Sequence, residues 1–512
     1  MSSLDPHSEY YGPEALEDFR ISTSLHLEGI GAVLRSDDGF TTIQSLVPGG
    51  PAANTGKVKV EDKIIAVAQG EESPVDVIDM DLREVVKLIR GTGGTEVRLT
   101  IVREEVGKNT QLVIPIIRDK VQLKDRAAKS RVVPVTLQEN PNEKPKTLKL
   151  GVIDLPSFYM DFEGRQNRQK GYKSSSADMV VEIGKMKKEN VDAIIVDLRS
   201  NGGGSLDESI DIAGLFFDKG PVVQTKDTRG GVMVQKDEDG KTLYSGPLVV
   251  MINRHSASAS EIFAGAIQDY QRGLIVGDTH TFGKGTVQNL NDIDEKLGAI
   301  KVTISKFYRP SGSSTQLKGV ESDIVIPDLL DEYDVGEKTY DYALPWEKIA
   351  ASDYKAFGQV SPETVKLLKD ASKARVAKDP NFVKVADAIK EYKAGEESRS
   401  KVSLKEEAAD AKKAGKDDKL ADSKKGGKGG KNGKDGKDGK KKSKAGEEEE
   451  EDGEKLSLVE DYQLQEALRV TADYVQILGK RPLAKVGIPE VEKMAVAEHA
   501  ADGKKTETKG HP

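Results

Sequence analysis

The sequence predicts an α/β protein: a small β-rich domain, then an α/β core with a mainly parallel sheet, then a helical C-terminal region. Three observations carry that class. Short β-like runs (GAVL, TIQSLV, KIIAVA, EVRLTIV, QLVIPII) punctuated by Gly/Pro-rich turns fill His26 to about Arg118. Beyond residue 148, buried-type strands alternate with helical stretches, the mark of a layered sheet with crossover helices. The last third is Lys-rich and helical, interrupted by a stretch too polar to bury a core.

Taken in order, residues 1–25 read as a polar leader forming a helix, and 26–118 as the β-rich domain. Its one helix, MDLREVVKLIRG, places Leu82, Val85, Val86 and Ile89 on a single face. The core, 119–330, opens on a charged connector, VQLKDRAAKSRVV. It continues through the strand LKLGVIDLP, the helix SADMVVEIGKMKKEN, the strand AIIVDL, the glycine turn SNGGGS, the helix LDESIDIAGLFF and the strand PLVVMI. Residues 331–400 read as a helical region, 401–455 as a disordered Lys/Gly/Glu-rich insert, and 456–512 as a terminal helix with a polar tail.

Composition narrows the function. A net charge of −8 gives no case for nucleic acid as a partner. Zero cysteines exclude disulfides and thiol catalysis. No apolar run approaches the roughly 18 residues that cross a bilayer, and MSSLDPHSEYYGPEALEDF has no signal-peptide pattern.

The chemistry concentrates in SASASEIFAGAIQDYQRGLIVGDTHTFGKGTVQ, Ser256 to Gln288. It follows a strand and begins a helix, with Ser258 and Glu261 spaced as a capping box. The plain alternative is that Ser258 only caps the helix. The same geometry sets a hydroxyl beside free backbone N–H groups that can stabilise an oxyanion. A serine nucleophile needs a base. His255 and His280 are candidates, and so is Lys284, if burial lowers its pKa. Gln288, four residues on, is expected on the same strand face as Lys284. GDTHTFGKGT fails as a phosphate loop: five residues separate Gly277 from Gly283, and Gly285 stands where Ser or Thr binds magnesium.

The run from RHSASAS to GKGTVQ, with DLRSNGGGSLDE, KFYRPSGSSTQLKGVESDIVIP and YALPWEKI, resembles the C-terminal processing peptidases, particularly the bacterial tail-specific type. The resemblance spans about residues 1–400 and implies a ClpP/crotonase-like core. It implies Ser258 as nucleophile, Lys284 as base, Gln288 as its support, and Asp269 as an acidic residue near the site with a supporting role. The implied oxyanion donors are the amides of Ala259 and Gly203, with Gly202 as a neighbouring alternative.

The β-rich domain resembles a PDZ module, in which Gly29, Ile30, Gly31 and Ala32 would form the loop that captures a terminal carboxylate. The expected activity is ATP-independent proteolysis of proteins with apolar C-termini. It needs no cofactor or metal, is compatible with an adaptor protein, and is placed in the periplasm or cell envelope. The rival is a non-catalytic PDZ peptide-binding protein. Two departures stand out: the helical region usual ahead of DPH-x-x-Y is expected to be missing, and the 401–455 insert is foreign to the pattern.

Overall fold

A computed structural model describes residues 3–395, apart from 106–107, 140–141, 143, 239 and 295, together with residues 457–489. The insert at 401–455 and the polar tail from 490 lie outside the described residues.

The leader is not one helix. Strand β1 (Glu9–Tyr11) precedes α1 (Pro13–Ser24), whose Pro13 sits in the first turn, where its missing N–H costs nothing. β1 then pairs with a strand nearly 300 residues away, a partner that local pattern cannot reveal.

The β-rich unit comprises β2 (His26–Gly29), β3 (Ala32–Asp37), β4 (Phe40–Leu46), α2 (Pro51–Thr55), β5 (Lys63–Gln69) and β6 (Val75–Asp76). It continues with α3 (Leu82–Ile89), β7 (Glu96–Glu105), β8 (Lys108–Ile117) and β9 (Asp119–Gln122). Its sheet runs β3-β4-β5-β7-β8, so β3 is an edge strand, and α3 lies beside it. Val85 and Ile89 of α3 are buried with Ile43, Ile64 and Leu99. Asp81 caps the start of α3, and Arg118 donates to the carbonyls of Leu88 and Ile89 at its end, as the helix dipole favours.

The core contributes β10 (Lys129–Gln138), β11 (Lys146–Asp154), α4 (Phe162–Gln166), α5 (Ser175–Lys188), β12 (Ala193–Asp197), α6 (Leu206–Gly214), β13 (Gly220–Asp227) and β14 (Val232–Asp237). After these come β15 (Leu248–Ile252), α7 (Ala259–Asp269), β16 (Leu274–Gly277), β17 (Thr286–Asp294), β18 (Gly298–Tyr308) and β19 (Ile324–Val325). The charged connector is in fact mostly strand. Val133, Val135 and Leu137 alternate into the core from β10.

After irregular chain come α8 (Pro362–Val376), α9 (380–395), α10 (Tyr462–Leu478) and β20 (Lys485–Gly487). The main sheet runs β19-β16-β15-β12-β11-β10-β20, parallel from β19 to β11 and antiparallel at the β10 and β20 edge. One face packs on α5, α6 and α7, the other on α8 and α10. Strands covered on both faces read as unbroken apolar runs, which explains AIIVD and LVVMI. A second, antiparallel sheet joins β1, β18, β13 and β14, with β17 beside β18. No helix among the described residues is long and apolar enough to cross a membrane.

Candidate active site at the strand ends

Strands β12, β15 and β16 end side by side, and their carboxyl ends open into the three loops that hold the sequence-predicted groups. In parallel α/β sheets this is where ligands bind.

The loop after β15 reaches Ser258, the residue immediately before α7. Its backbone is in an unusual region, φ 58° and ψ −112°, which a non-glycine residue adopts only when its surroundings enforce it. The enforcement is visible in the neighbouring serines. Ser256 Oγ donates to the Leu198 carbonyl at 2.7 Å, and Ser260 Oγ to the Asn201 carbonyl at 2.9 Å. Both are fully buried pins between this loop and the glycine turn after β12. Ala257 N–H adds a third link to Asn201 O at 3.0 Å. Of SASAS, only Ser258 is partly exposed. Ala259 N–H, at the first turn of α7, has no acceptor among the described residues.

The glycine turn lies directly against Ser258. Gly203 has φ +106°, and a Cβ there would sit 2.8 Å from the Ser258 Cβ and 3.1 Å from Ala259 N. No side chain fits. The Gly203 N–H donates to Asn201 Oδ1 at 2.9 Å, so in this arrangement it is engaged rather than free.

Lys284 is joined to Ser258 through Glu261, whose side chain is fully buried. Glu261 Oε2 accepts from Ser258 N at 2.8 Å and from Lys284 N at 2.9 Å. Its Oε1 accepts from Thr281 Oγ1 at 2.6 Å and Gly283 N at 2.7 Å. One carboxylate thus holds the backbones of serine and lysine to a single oxygen. Burial pushes the Glu261 carboxyl up to about 8, against four donors that fit an ionised acceptor. The lysine loop also lies flat on residues 314–317: a Cβ on Gly285 would meet Gln316 N at 2.7 Å.

Burial pushes the Lys284 amine down to about 8, and the nearby Lys301 cation adds to the fall; Glu337, Glu261 and Glu9 oppose it. No hydrogen bond joins the amine to the Ser258 hydroxyl in this structure.

The other predicted residues fall as follows. Gln288 lies on β17, whereas Lys284 precedes that strand; the register shift at Val287 and Gln288 leaves its extra residue, Ile304, on the partner strand β18. Its amide donates to Thr286 Oγ1 at 2.9 Å and Thr303 Oγ1 at 3.1 Å. Asp269 is not brought to the cluster. It ends α7, roughly 16 Å along the helix from Ser258, where it pairs with Arg309 and accepts from Ser311 N at 2.9 Å. His280 is spent elsewhere: Arg254 donates to its Nε2 at 2.6 Å, so its proton lies on Nδ1, facing Thr281 O at 2.6 Å. His255 is exposed.

In the β-rich unit, the Ile30 and Gly31 N–H groups have no backbone acceptor among the described residues and lie beside the open edge of β3. The Ile30 side chain is buried in the domain core, while Ala32 is partly buried.

Comparison with known proteins fits this organisation. A model for peptidase family S41 matches residues 149–326, one for the C-terminal domain of tail specific protease matches 330–476, and a PDZ domain model matches 19–102. The chain is 33% identical to the carboxy-terminal-processing protease of Bartonella bacilliformis, over 65% of this chain and 70% of that one. The chain belongs to this family. It is also 42% identical over 396 residues to the tail-specific protease of Haemophilus influenzae, covering 76% of this chain; it spans about half (53%) of that relative. Among solved structures, the PDZ domain of the carboxy-terminal protease from Vibrio cholerae in complex with peptide is similar at 45% identity. That match covers 19% of this chain and 100% of that one, with a TM-score of 0.19.

Several residues that tie these loops together carry no signal in the sequence: Ser256, Ser260, Asn201 and Thr281. Only Glu261 had a signal, its capping-box spacing, which shows the helix start but not the bond to the lysine loop.

Proposed function

We propose that this S41 family member is a serine endopeptidase with a Ser258–Lys284 dyad that takes substrates by their apolar C-termini through its PDZ domain. What supports this is one observation above the others: a buried carboxylate accepts the backbone N–H of a strained serine and that of a lysine on one oxygen, and burial lowers that lysine's amine to about 8. At neutral pH a usable fraction of that amine is unprotonated.

In the proposed reaction the Lys284 amine takes the Ser258 proton as Oγ attacks the scissile carbonyl. The oxyanion is held by Ala259 N–H together with Gly203 N–H, after Asn201 releases it, or with Gly202 N–H. The Lys284 ammonium then protonates the leaving amine. Water, deprotonated in turn by Lys284, cleaves the acyl ester and restores Ser258. Gln288 would align the amine by way of its threonine-fixed amide. Asp269, distant from the reacting atoms, would act by holding Arg309 and the 309–311 turn.

The substrate's last residues would add as a strand to β3, with the carboxylate on the Ile30 and Gly31 amides. Peptide hydrolysis is downhill, so no nucleotide is required. The proposed location is the periplasm or cell envelope, supported by resemblance to the tail-specific type, and an adaptor protein is compatible with this scheme.

A second reading, peptide binding without hydrolysis, draws on the engaged Gly203 amide and the absent Ser258–Lys284 hydrogen bond. One assay separates the two. An unfolded protein with an apolar C-terminus is incubated with wild type, Ser258→Ala and Lys284→Ala. Cleavage by wild type alone is expected; binding by all three with no cleavage by any sinks the peptidase reading.

A further inference from the structure

The amino end of α10 sits where the three catalytic loops leave the sheet. From the contacts it makes there, we infer that Asp461 and Gln463 are positioning residues for the peptidase site, holding the roots of the loops that carry Gly203, Ser258 and Lys284. The inference rests on the dyad reading.

The loop to Gly203 starts at Asp197 and Arg199. Asp461 grips the Arg199 guanidinium with both oxygens, at 2.9 Å and 2.7 Å, while Asp197 holds its other side at 2.7 Å. Asp461 also caps its own helix through Leu464 N at 2.9 Å. Gln463 Oε1 accepts from the same guanidinium at 3.2 Å.

The Gln463 amide then turns to the other two loops. It donates to Asp278 Oδ1 at 3.3 Å, at the root of the lysine loop, and to Asp328 Oδ2 at 3.0 Å, just beyond β19. The second oxygen of Asp278 accepts from Arg254 N at 2.9 Å, at the root of the serine loop. Two side chains at the start of one helix, two residues apart, therefore reach all three loops, directly or through a single fully buried carboxylate.

Packing alone does not require this. Leu464, Leu468 and Val470 already dock α10 on the sheet face. Taking charged groups out of water costs free energy, so this largely buried pair is weak evidence for stability and points instead to a positioning role. A two-pronged Arg–carboxylate pair fixes orientation as well as distance. The helix that supplies it is separated from α9 by residues 396–456, so the catalytic loops depend on a distant part of the chain.

The test uses the full chain with Asp461→Asn, which keeps an oxygen for the helix cap but loses the charge, and Gln463→Leu, which keeps the bulk. Thr471→Val is the control. It lies on the same helix, and its hydroxyl bonds only the Ala467 carbonyl. Amide hydrogen exchange is followed over 198–204, 253–258 and 278–285, with kcat and KM on an unfolded protein substrate. In the first two variants, exchange in all three segments is expected to quicken by about tenfold. kcat should fall by about tenfold with KM within about twofold, and Thr471→Val should do neither.

Unchanged exchange in Asp461→Asn and Gln463→Leu overturns the inference. So does faster exchange with unchanged kcat, or a uniform loosening that Thr471→Val reproduces. If wild type itself cleaves nothing, the dyad reading fails, and the exchange pattern still decides whether α10 holds the loops.

Discussion

In the proposed reaction the Lys284 amine is the base, and Lys301 offers a way to move its pKa. Lys301 lies on β18, held by Glu9 at 2.6 Å and Tyr11 at 2.7 Å, and its cation helps lower Lys284. An amine titrating at about 8 is neutral in roughly one molecule in ten at pH 7. At its ordinary 10.5 the fraction is roughly one in 3,000, about 300-fold less. Lys301→Met removes the cation and leaves the Glu9 charge unpaired. Both changes favour protonated Lys284, so its pKa rises. Each unit of rise lowers kcat/KM at pH 7 by about tenfold.

The charges that bear on the amine are those of Lys301, Glu337, Glu261 and Glu9, and the substitution removes only the first. The assay is kcat/KM from pH 5.5 to 9.5 on a short peptide substrate. Wild type is expected to rise with pH to a plateau above about 8. The variant should show the same limb displaced to higher pH, with its deficit shrinking at the alkaline end. A deficit equal at every pH means packing damage, not titration, and refutes the argument. A wild-type profile flat across neutrality refutes it more directly.

Three further outcomes follow from the site. Glu261→Gln replaces an acceptor of four hydrogen bonds with an amide that offers its own N–H groups to buried donors. It should cost about 3 kcal/mol in denaturant unfolding and lower kcat sharply; wild-type stability would count against the clamp. Gly203→Ala sets a methyl 2.8 Å from the Ser258 Cβ, so kcat should drop by at least about tenfold while peptide binding by the full-length variant, read by calorimetry, persists. Lys284→Met should be more stable than wild type at pH 7. The folded pKa of Lys284 is lowered from 10.5 to about 8, so the unfolded chain binds more protons between those values. Wild-type stability therefore rises with pH through that window, and the advantage of Lys284→Met should fade as pH climbs through it. An advantage independent of pH would show that the lysine is not desolvated.

What was legible in the sequence was local. AIIVDLRSNGGGS and PLVVMINRHSASAS each write out strand, turn and helix start within 14 residues, because doubly covered strands are uniformly apolar and helix starts carry caps. The α3 face was legible for the same reason: Val85 and Ile89 recur at helical spacing and are buried. The connector around residues 119–138 was not, since strands β9 and β10 carry Lys and Arg on their solvent side, which masks a two-residue period. Nor was β1, whose partner β18 lies almost the whole core away. For Gln288 the letters do not show where the strand begins: β17 starts at Thr286, so Lys284 stands outside it.

The deeper lesson lies in Glu261. From sequence, its spacing from Ser258 offered two competing accounts: a serine that caps a helix, or a serine that attacks a carbonyl. In the folded chain the capping carboxylate accepts the Ser258 amide on the same oxygen that takes the Lys284 amide. Capping α7 is the means by which the lysine loop is brought to the serine. The ordinary helix-start device and the site geometry are one set of hydrogen bonds. A spacing rule names only the bond inside the helix; the bond that joins the two loops is to a residue 23 positions on. It depends on β16 delivering that loop beside α7, which is a property of the parallel sheet and not of the segment.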